Sequence, residues 1–287
     1  MKSILGLFAL SCLVFTLRGV GQGSTEPMAH YVIATSQLRN LPRSANGHDY
    51  QLLVALPSDY DSAPSKRYPV LYACDGNWSF VLLCGMYGGL LYDKAIPEYI
   101  LVGIGYTASD AEIGKLRLDD YLPRPIKNDK EERETGHAAE FLNVVQSEII
   151  PYVEREYRVD PSYRVLAGGS AGGLFTLYTM FTRPALFQGY VAVSPGVNER
   201  SGLPQIEASF AKEKRALPVR LFMSGASEDE PSFLKSIQQM NTLLRERNYQ
   251  GLAYEWRVVQ GQGHGGTGPE SFARGIRFAF QPLAPKH

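Results

Sequence analysis

The chain has 287 residues, of which 44% are hydrophobic and 11% aromatic, so it is long and apolar enough to bury the core of a full-sized domain. Lys and Arg together number 29, as do Asp and Glu, and the formal net charge is therefore zero. Since no basic block alternates with aromatic residues, these figures argue against a nucleic-acid partner.

The chain begins with the pattern of a secretory signal, which we place at residues 1–23. Lys2 supplies the positive start, residues 4–17 the apolar run, and the glycine-rich stretch 19–23 the small residues of a cleavage site. The apolar run is shorter than the roughly 20 residues that cross a bilayer. We therefore expect an exported protein, periplasmic or secreted, whose mature part 24–287 is one domain without stable membrane association. An uncleaved membrane anchor is the alternative.

Two cysteines, Cys74 and Cys84, remain once a signal of this length is removed. In an oxidising compartment they can form a disulfide. Cys74 also ends a strand-like apolar run, where a free cysteine often serves as a small hydrophobic residue. The sequence decides neither this question nor the oligomeric state.

Strand-like and helix-like runs alternate through most of the mature chain, which is typical of a largely parallel sheet covered by helices on both faces. Several of the strand-like runs are continuously apolar, as expected of strands that are buried on both faces. The predicted strands are residues 48–56, 68–73, 99–105, 163–167, 190–193, 219–224 and 254–259.

Apolar residues recur at helical spacing in two segments, 141–149 and 233–244. Pro151 predicts a kink or a break just after the first of them. Residues 107–136 are charged, contain proline and show little apolar periodicity. We interpret this stretch as a long irregular loop, either functional or simply solvated.

The most informative pattern is a short apolar strand, residues 165–167, that runs into Gly-Gly-Ser-Ala-Gly at 168–172 and then into a helix-like segment. A serine at such a junction lies exposed at the edge of a sheet, and small neighbours let strand and helix pass close together. We predict that Ser170 is a nucleophile. The N–H of Ala171 is then placed to bind the oxyanion that forms when Ser170 attacks a carbonyl. The alternative is a glycine-rich loop that only turns the chain.

A serine nucleophile needs a base, usually histidine, and a carboxylate that orients the base. Of the five histidines, only His264 and His287 follow the last predicted strand, and His287 is the final residue. His264 lies in a glycine-rich loop directly after that strand, and we predict it to be the base. In sheets of this kind the acid comes between serine and histidine along the chain. The strand 219–224 leads to three consecutive acids, of which we choose Glu228, with Asp229 second. Acids at a loop tip are also commonly just solvated.

The second oxyanion donor is expected in an earlier strand–helix loop, and the run Asp75-Gly76-Asn77 follows the strand 68–73. We predict that Gly76 lets the backbone turn and that the N–H of Asn77 is the donor, although Asp-Gly and Gly-Asn are also common turn pairs. Gly76 and Trp78 are candidates for contacting the substrate, and core packing is the alternative for Trp78.

These motifs together resemble the putative-esterase branch of the α/β-hydrolases, which includes siderophore esterases of the enterobactin type, esterase D, and feruloyl or acetyl esterases. The resemblance covers nearly all of the chain after residue 45. It is carried by Tyr68-Pro-Val-Leu-Tyr with Asp75-Gly76-Asn77, Asp120-Tyr-Leu-Pro123, Glu148-Ile-Ile-Pro-Tyr-Val-Glu154, the serine turn and Ser194-Pro195. It implies an α/β-hydrolase fold and supports Glu228, because Gly225-Ala-Ser-Glu228 is similar to the acid loop of the family. It also implies that Arg117 lies near the site, either to hold an anionic substrate group or in a salt bridge.

We therefore expect a serine esterase that cleaves carboxylic esters through an acyl-enzyme, without cofactor or metal. Siderophore trilactones, sugar acetates, feruloyl esters and small thioesters all fit as small-molecule substrates. An acyltransferase with the same three residues is one alternative, and a secreted binding protein that has lost catalysis is another. The sequence has no His-Glu-x-x-His metal motif, and the run at 168–173 lacks the Lys-Ser/Thr of a phosphate-binding loop.

Overall fold

The computed structural model describes residues 32–124 and 136–285 of this chain. The strands within these residues form one eight-stranded sheet. Its order is β1-β2-β4-β3-β5-β6-β7-β8. β1 and β2 are antiparallel to their neighbours at one edge, and β4, β3, β5, β6, β7 and β8 are parallel. The strands are β1 Ser36–Asn40, β2 Tyr50–Ala55, β3 Tyr68–Ala73, β4 Ile100–Tyr106, β5 Val159–Gly169, β6 Gly189–Val193, β7 Arg220–Ala226 and β8 Ala253–Val259.

Helices cover both faces of the sheet, as the alternating pattern predicts. α1 and α8 contact each other on one face, and α5 contacts α2 and α6 on the other. The helices are α1 Gly76–Tyr92, α2 Asp110–Tyr121, α3 Ala138–Val144, α4 Ile150–Glu156, α5 Ala171–Thr182, α6 Leu203–Glu213, α7 Pro231–Arg247 and α8 Gly268–Phe280. Among the residues described, no helix combines the length and the apolar character needed to cross a bilayer.

Alternating residues of the central strands pack into two separate layers of core. On β3, for example, Val70 and Tyr72 join the larger apolar cluster, in which Phe141 and Phe175 also lie. Because successive side chains of a strand point to opposite faces, the intervening Leu71 faces the other layer, and it too is completely buried. Burial on both faces explains why the central strands read as continuous apolar runs.

The parallel strands bring several loops to one edge of the sheet. In register, Gly169 at the end of β5 pairs with Val193 of β6, and Val193 pairs with Ser224 of β7. Ala226 in turn pairs with Val259 at the end of β8. The segments that follow these residues therefore emerge side by side, at the carboxyl edge where α/β sheets bind ligands.

Two features differ from the sequence-based expectations. β1 was not predicted, because its five residues are mostly exposed and form only an edge strand. The stretch 107–136, interpreted as irregular, contains α2, which begins with a capping box between Ser109 and Glu112. α2 has little apolar periodicity because it buries Asp119 and Asp120 alongside apolar residues.

The break predicted near Pro151 takes the form of a π-helical turn, Val145–Ile149, between α3 and α4. Proline has no N–H to donate to the preceding turn, and a local change of helical pitch accommodates that loss. The predicted signal, residues 1–23, lies outside the described residues.

Candidate active site

Ser170 lies at a sharp turn between β5 and α5, with backbone angles (φ 55°, ψ −119°) that residues with a side chain rarely adopt. It is the single residue between the strand and the helix. Its N–H donates to the carbonyl of Val193 (2.9 Å), and its own carbonyl accepts from the N–H of Gly196 (3.0 Å). These bonds hold the strained serine in place. Ala171 is the first residue of α5, so its N–H has no acceptor within the helix.

Two glycines of this turn are required by close packing. A Cβ at Gly168 would lie 2.3 Å from the carbonyl oxygen of Gly172, and a Cβ at Gly172 would lie 2.9 Å from the Cβ of Cys74. Neither position therefore accepts a side chain unless the backbone shifts. The close passage of strand and helix that the sequence predicts is present.

His264 is paired with a carboxylate. Its Nδ1 lies 2.8 Å from Oδ2 of Asp229, and the other oxygen of Asp229 accepts from the N–H of Glu230 (2.9 Å). The Asp229 side chain is 7% exposed and that of His264 is 39% exposed, so the acid is inside and the ring is accessible. The ring also meets Phe233 edge-on, with centroids 4.8 Å apart. With Nδ1 engaged by the acid, Nε2 is the nitrogen available for proton transfer.

The acid that contacts His264 differs from the first choice made from the sequence. The N–H of Glu228 donates to the carbonyl of Gln262 (3.0 Å), which ties the loop after β7 to the loop that carries the histidine. The Glu228 side chain is exposed, whereas that of Asp229 is buried against His264. The segment is a turn, in which the Asp229 N–H donates to the carbonyl of Ala226 (3.4 Å), and this turn places Asp229, not Glu228, against the imidazole. Asp229, the second choice, replaces Glu228 at this position.

Ser170 and His264 line one cavity of about 250 Å³ at the carboxyl edge of the sheet. Leu82, Val193 and Phe272 contribute apolar surface to the same cavity. Residues from distant parts of the chain thus meet at one place, and the arrangement suits a nucleophile and a base acting on a largely apolar small molecule.

Gly76 and Asn77 are not among the residues that line this cavity. A Cβ at Gly76 would lie 2.6 Å from the carbonyl carbon of Gly103, so this glycine lets α1 pack closely on β4, and its contact with substrate stays a prediction. The Asn77 side chain accepts from the N–H of Tyr106 (2.8 Å) and donates to its carbonyl (3.2 Å). The side chain therefore ties α1 to the end of β4, and an oxyanion role for the Asn77 N–H stays a prediction.

Arg117 and Trp78 both line the cavity. Arg117 donates from Nε and from one terminal nitrogen to the two oxygens of Asp75, at 2.7 and 2.9 Å. Its guanidinium also lies over the Trp78 ring, 5.5 Å from the centroid. Arg117 thus forms a salt bridge, which was one of the two alternatives for it. Trp78 is 49% exposed and is not a core residue.

The two cysteines are not paired. Cys74 and Cys84 are both free thiols, and Cys74 lines the cavity from the end of β3. Burial raises the pKa of the Cys74 thiol well above its ordinary value, so this side chain is a neutral wall of the cavity.

Ser194 is a cavity residue that the sequence did not single out as functional. It follows β6, lines the cavity and has a left-handed backbone (φ 38°). In the sequence it appears only as part of Ser194-Pro195, a mark of family resemblance. A single serine after a strand carries no signal of strain, so only the folded backbone reveals it.

A buried ionic cluster beside α2 was also missed. His48 Nδ1 lies 3.0 Å from Asp120, and Nε2 lies 3.3 Å from Asp119. As hydrogen-bond acceptors for the protonated ring, these two carboxylates raise the pKa of His48 to about 9, against the opposing effect of burial. Asp120 also accepts from the hydroxyls of Tyr50 (2.7 Å) and Tyr106 (2.9 Å). These contacts stabilise a charge that burial alone would disfavour.

Comparison with known proteins identifies the family. The family model described as "Putative esterase" matches residues 44–267. Ferri-bacillibactin esterase BesA of Bacillus subtilis is 27% identical over 272 residues, covering 89% of this chain and 93% of that protein. The siderophore enterobactin esterase of Emericella nidulans is 30% identical over 202 residues, covering 63% of this chain and 66% of that protein.

Solved structures show the same fold. The BES protein from Bacillus cereus superimposes with a TM-score of 0.78 at 24% identity, covering 89% of this chain and 98% of that one. Siderophore hydrolase EstA from Aspergillus nidulans gives 0.71 at 21% identity, covering 88% and 98%. The α/β-hydrolase fold implied by the sequence motifs is confirmed. The chain therefore belongs to the putative esterase family of the α/β-hydrolases and is an ester hydrolase.

Proposed function

We propose that this ester hydrolase works through a covalent acyl-enzyme, with Ser170 as nucleophile, His264 as general base and Asp229 as the acid that orients the base. One observation carries the proposal. A serine in a strained turn shares a cavity with a histidine whose Nδ1 is held by a buried carboxylate. That combination is what activates a hydroxyl that is otherwise a poor nucleophile.

The reaction has two halves. Ser170 Oγ attacks the ester carbonyl while His264 Nε2 takes its proton, and the tetrahedral intermediate collapses as the alcohol leaves with that proton. Water then attacks the acyl-enzyme, with His264 again accepting a proton and passing it to Ser170 Oγ. The products are a carboxylic acid and the free serine.

The oxyanion is bound by backbone donors. The Ala171 N–H, at the start of α5, is one of them, and the helix dipole adds a partial positive charge there. The second donor comes from the start of α1, where we retain the N–H of Asn77. Removal of one such donor lowers turnover by about 10²–10³-fold in serine hydrolases.

For the substrate, we propose a siderophore-type ester. Support comes from the relatives that the chain matches over most of its length, which are named for hydrolysis of such compounds. The exposed Trp78 beside Arg117 offers an aromatic face and a cation at the rim of the cavity, features that suit an aromatic acyl group.

The nucleophile is tested by Ser170→Ala. Purified protein should hydrolyse p-nitrophenyl acetate and be labelled at residue 170 by a fluorophosphonate, and the variant should lose both properties. Ser236→Ala, at a half-buried serine of α7 that does not line the cavity, is the matched control and should behave as wild type. Retention of most of the activity by Ser170→Ala would reject the mechanism.

The substrate class is tested with four compounds assayed side by side: a catecholate siderophore trilactone, a sugar acetate, a feruloyl ester and a small thioester. We expect kcat/KM to be highest for the trilactone by at least tenfold. A sugar acetate or feruloyl ester hydrolysed best would reject the siderophore assignment while leaving the esterase mechanism intact.

We also propose that the protein is exported, with residues 1–23 removed. The support is the charge and apolar pattern of the first 23 residues. The N-terminal sequence of the protein recovered from cell fractions tests this. Full-length protein in the cytoplasm would contradict it.

A further inference from the structure

The inference below rests on the proposed acyl-enzyme mechanism and concerns Ser194. Among the described residues, five that are not glycine have a positive φ: Asp75, Lys94, Ser170, Ser194 and Asn248. Lys94 and Asn248 lie at or just after the C-terminal ends of helices, where a left-handed residue commonly ends the helix. The other three line the catalytic cavity. Such strain costs about 1–3 kcal/mol per residue and concentrates at functional sites.

The backbone on both sides of Ser194 is fastened to the nucleophile. Val193, immediately before it, accepts the N–H of Ser170, and Gly196, two residues after it, donates to the carbonyl of Ser170. The N–H of Ser194 itself donates to the carbonyl of Ser224 (3.0 Å). Ser194 therefore has a fixed position relative to Ser170, as a residue that acts on the reacting atoms must have.

The hydroxyl of Ser194 has no hydrogen-bond partner among the described residues, although the residue is only 1% exposed. A buried hydroxyl without a partner is unfavourable, and in folded proteins it is normally satisfied by water or ligand. The adjoining space is the cavity that also holds Ser170 and His264. A water or substrate molecule in this cavity therefore lies near the Ser194 hydroxyl, which can still donate and accept a hydrogen bond.

We propose that Ser194 is a further catalytic residue, whose hydroxyl binds the water that hydrolyses the acyl-enzyme. In that step the water oxygen forms a bond to the acyl carbon, and one of its protons passes to His264 Nε2. Its second hydrogen is donated to Ser194 Oγ, which fixes the direction of attack. The bond from the acyl carbon to Ser170 Oγ then breaks, and His264 returns the proton to Ser170. A carboxylic acid leaves, and no other reactant is consumed.

Ser224 provides a matched control. Its hydroxyl is also buried and without a partner among the described residues, and Ser224 lies one strand away on β7. Unlike Ser194, it does not line the cavity and has an ordinary strand conformation. If the loss of a buried hydroxyl near the site were enough to slow the reaction, Ser194→Ala and Ser224→Ala would slow it equally.

The test separates acylation from deacylation in rapid-mixing experiments with p-nitrophenyl acetate. In Ser194→Ala we expect deacylation to slow about tenfold, the effect of one neutral hydrogen bond, with the acylation rate within twofold of wild type and acyl-enzyme accumulating. Ser194→Gly should show the same kinetics and unfold at no lower temperature, because glycine relieves the strain at φ 38°. Ser224→Ala should keep both rates.

Three outcomes would overturn the proposal: deacylation within twofold of wild type in both Ser194 variants, an equal fall in acylation and deacylation, or the same slowing in Ser224→Ala. Failure of the mechanism itself is distinguishable. It would appear as undiminished turnover in Ser170→Ala, together with the absence of an acetyl group on Ser170 of the wild-type protein. This result would reject the Ser194 assignment as well.

Discussion

At the residue scale, the site depends on which of two adjacent acids faces the histidine. Asp229 contacts His264 and is buried, whereas Glu228 is exposed and linked to Gln262 through its backbone. An acid in this position selects the productive tautomer of the imidazole and stabilises its protonated form. The two side chains therefore make different contributions, although they are neighbours in the sequence.

This difference gives a prediction. Asp229→Asn should reduce kcat/KM for an aryl acetate by about 10³–10⁴-fold, because the amide no longer orients the imidazole correctly. Glu228→Gln should stay within threefold of wild type. Steady-state hydrolysis of both variants decides the matter, and a large loss confined to Glu228→Gln would restore the first choice made from the sequence.

At the scale of elements, the serine turn is built by the close approach of β3, β5 and α5. Gly172 in the first turn of α5 faces the end of β3, where an added Cβ would lie 3.1 Å from Oδ2 of Asp75 as well as against Cys74. Helix α1, on the other face of the sheet, also contains glycines, but at Gly88 nothing lies within 4 Å of an added Cβ. The two helices thus carry glycine for different reasons.

Alanine at these two positions should have opposite effects. Gly172→Ala should lower the free energy of unfolding by about 1–3 kcal/mol, since it overpacks the turn, and should also lower turnover. Gly88→Ala should raise the free energy of unfolding by about 0.5–1 kcal/mol, because alanine loses less backbone conformational freedom than glycine when the helix forms. Urea titration measures both changes, and equal shifts of the same sign would contradict the packing argument.

At the scale of the whole molecule, the His48 cluster links separate parts of the fold. His48 precedes β2, its carboxylate partners Asp119 and Asp120 belong to α2, and Tyr106 ends β4. His137, at the start of α3, also contacts Asp119 (2.6 Å). Burial raises the pKa of Asp120, but hydrogen bonds from His48, Tyr50 and Tyr106 favour its ionised form. The cluster therefore depends on a charged His48.

The stability of the protein should consequently depend on His48 at alkaline pH. The folded pKa of about 9 exceeds the ordinary value of 6.5, so the fold favours the protonated ring. This contribution, at most about 3 kcal/mol, is fully present below pH 6.5 and is lost as the pH rises through 9. Denaturation of wild type and His48→Gln at several pH values should give a difference that shrinks over this range. A difference independent of pH would contradict the assignment.

Local patterns in the sequence predicted most of the architecture. The strands and the serine turn have strong signals, since apolar runs, glycine spacing and helix periodicity follow from the conformation of a few neighbouring residues. α2 lacked such a signal, because its buried surface includes acids whose partner His48 lies far away in the sequence. Likewise, β1 is exposed and gains its conformation from pairing with β2.

The sequence by itself determined the parallel sheet, the position of Ser170 at the turn and the candidate histidine. Only the tertiary structure decided that Asp229 rather than Glu228 meets His264, that Gly76 packs against β4, and that Ser194 is strained beside the nucleophile. The reason is physical. Backbone preferences act between neighbours, whereas the direction of a side chain in a loop is set by hydrogen bonds and packing with segments that are distant along the chain.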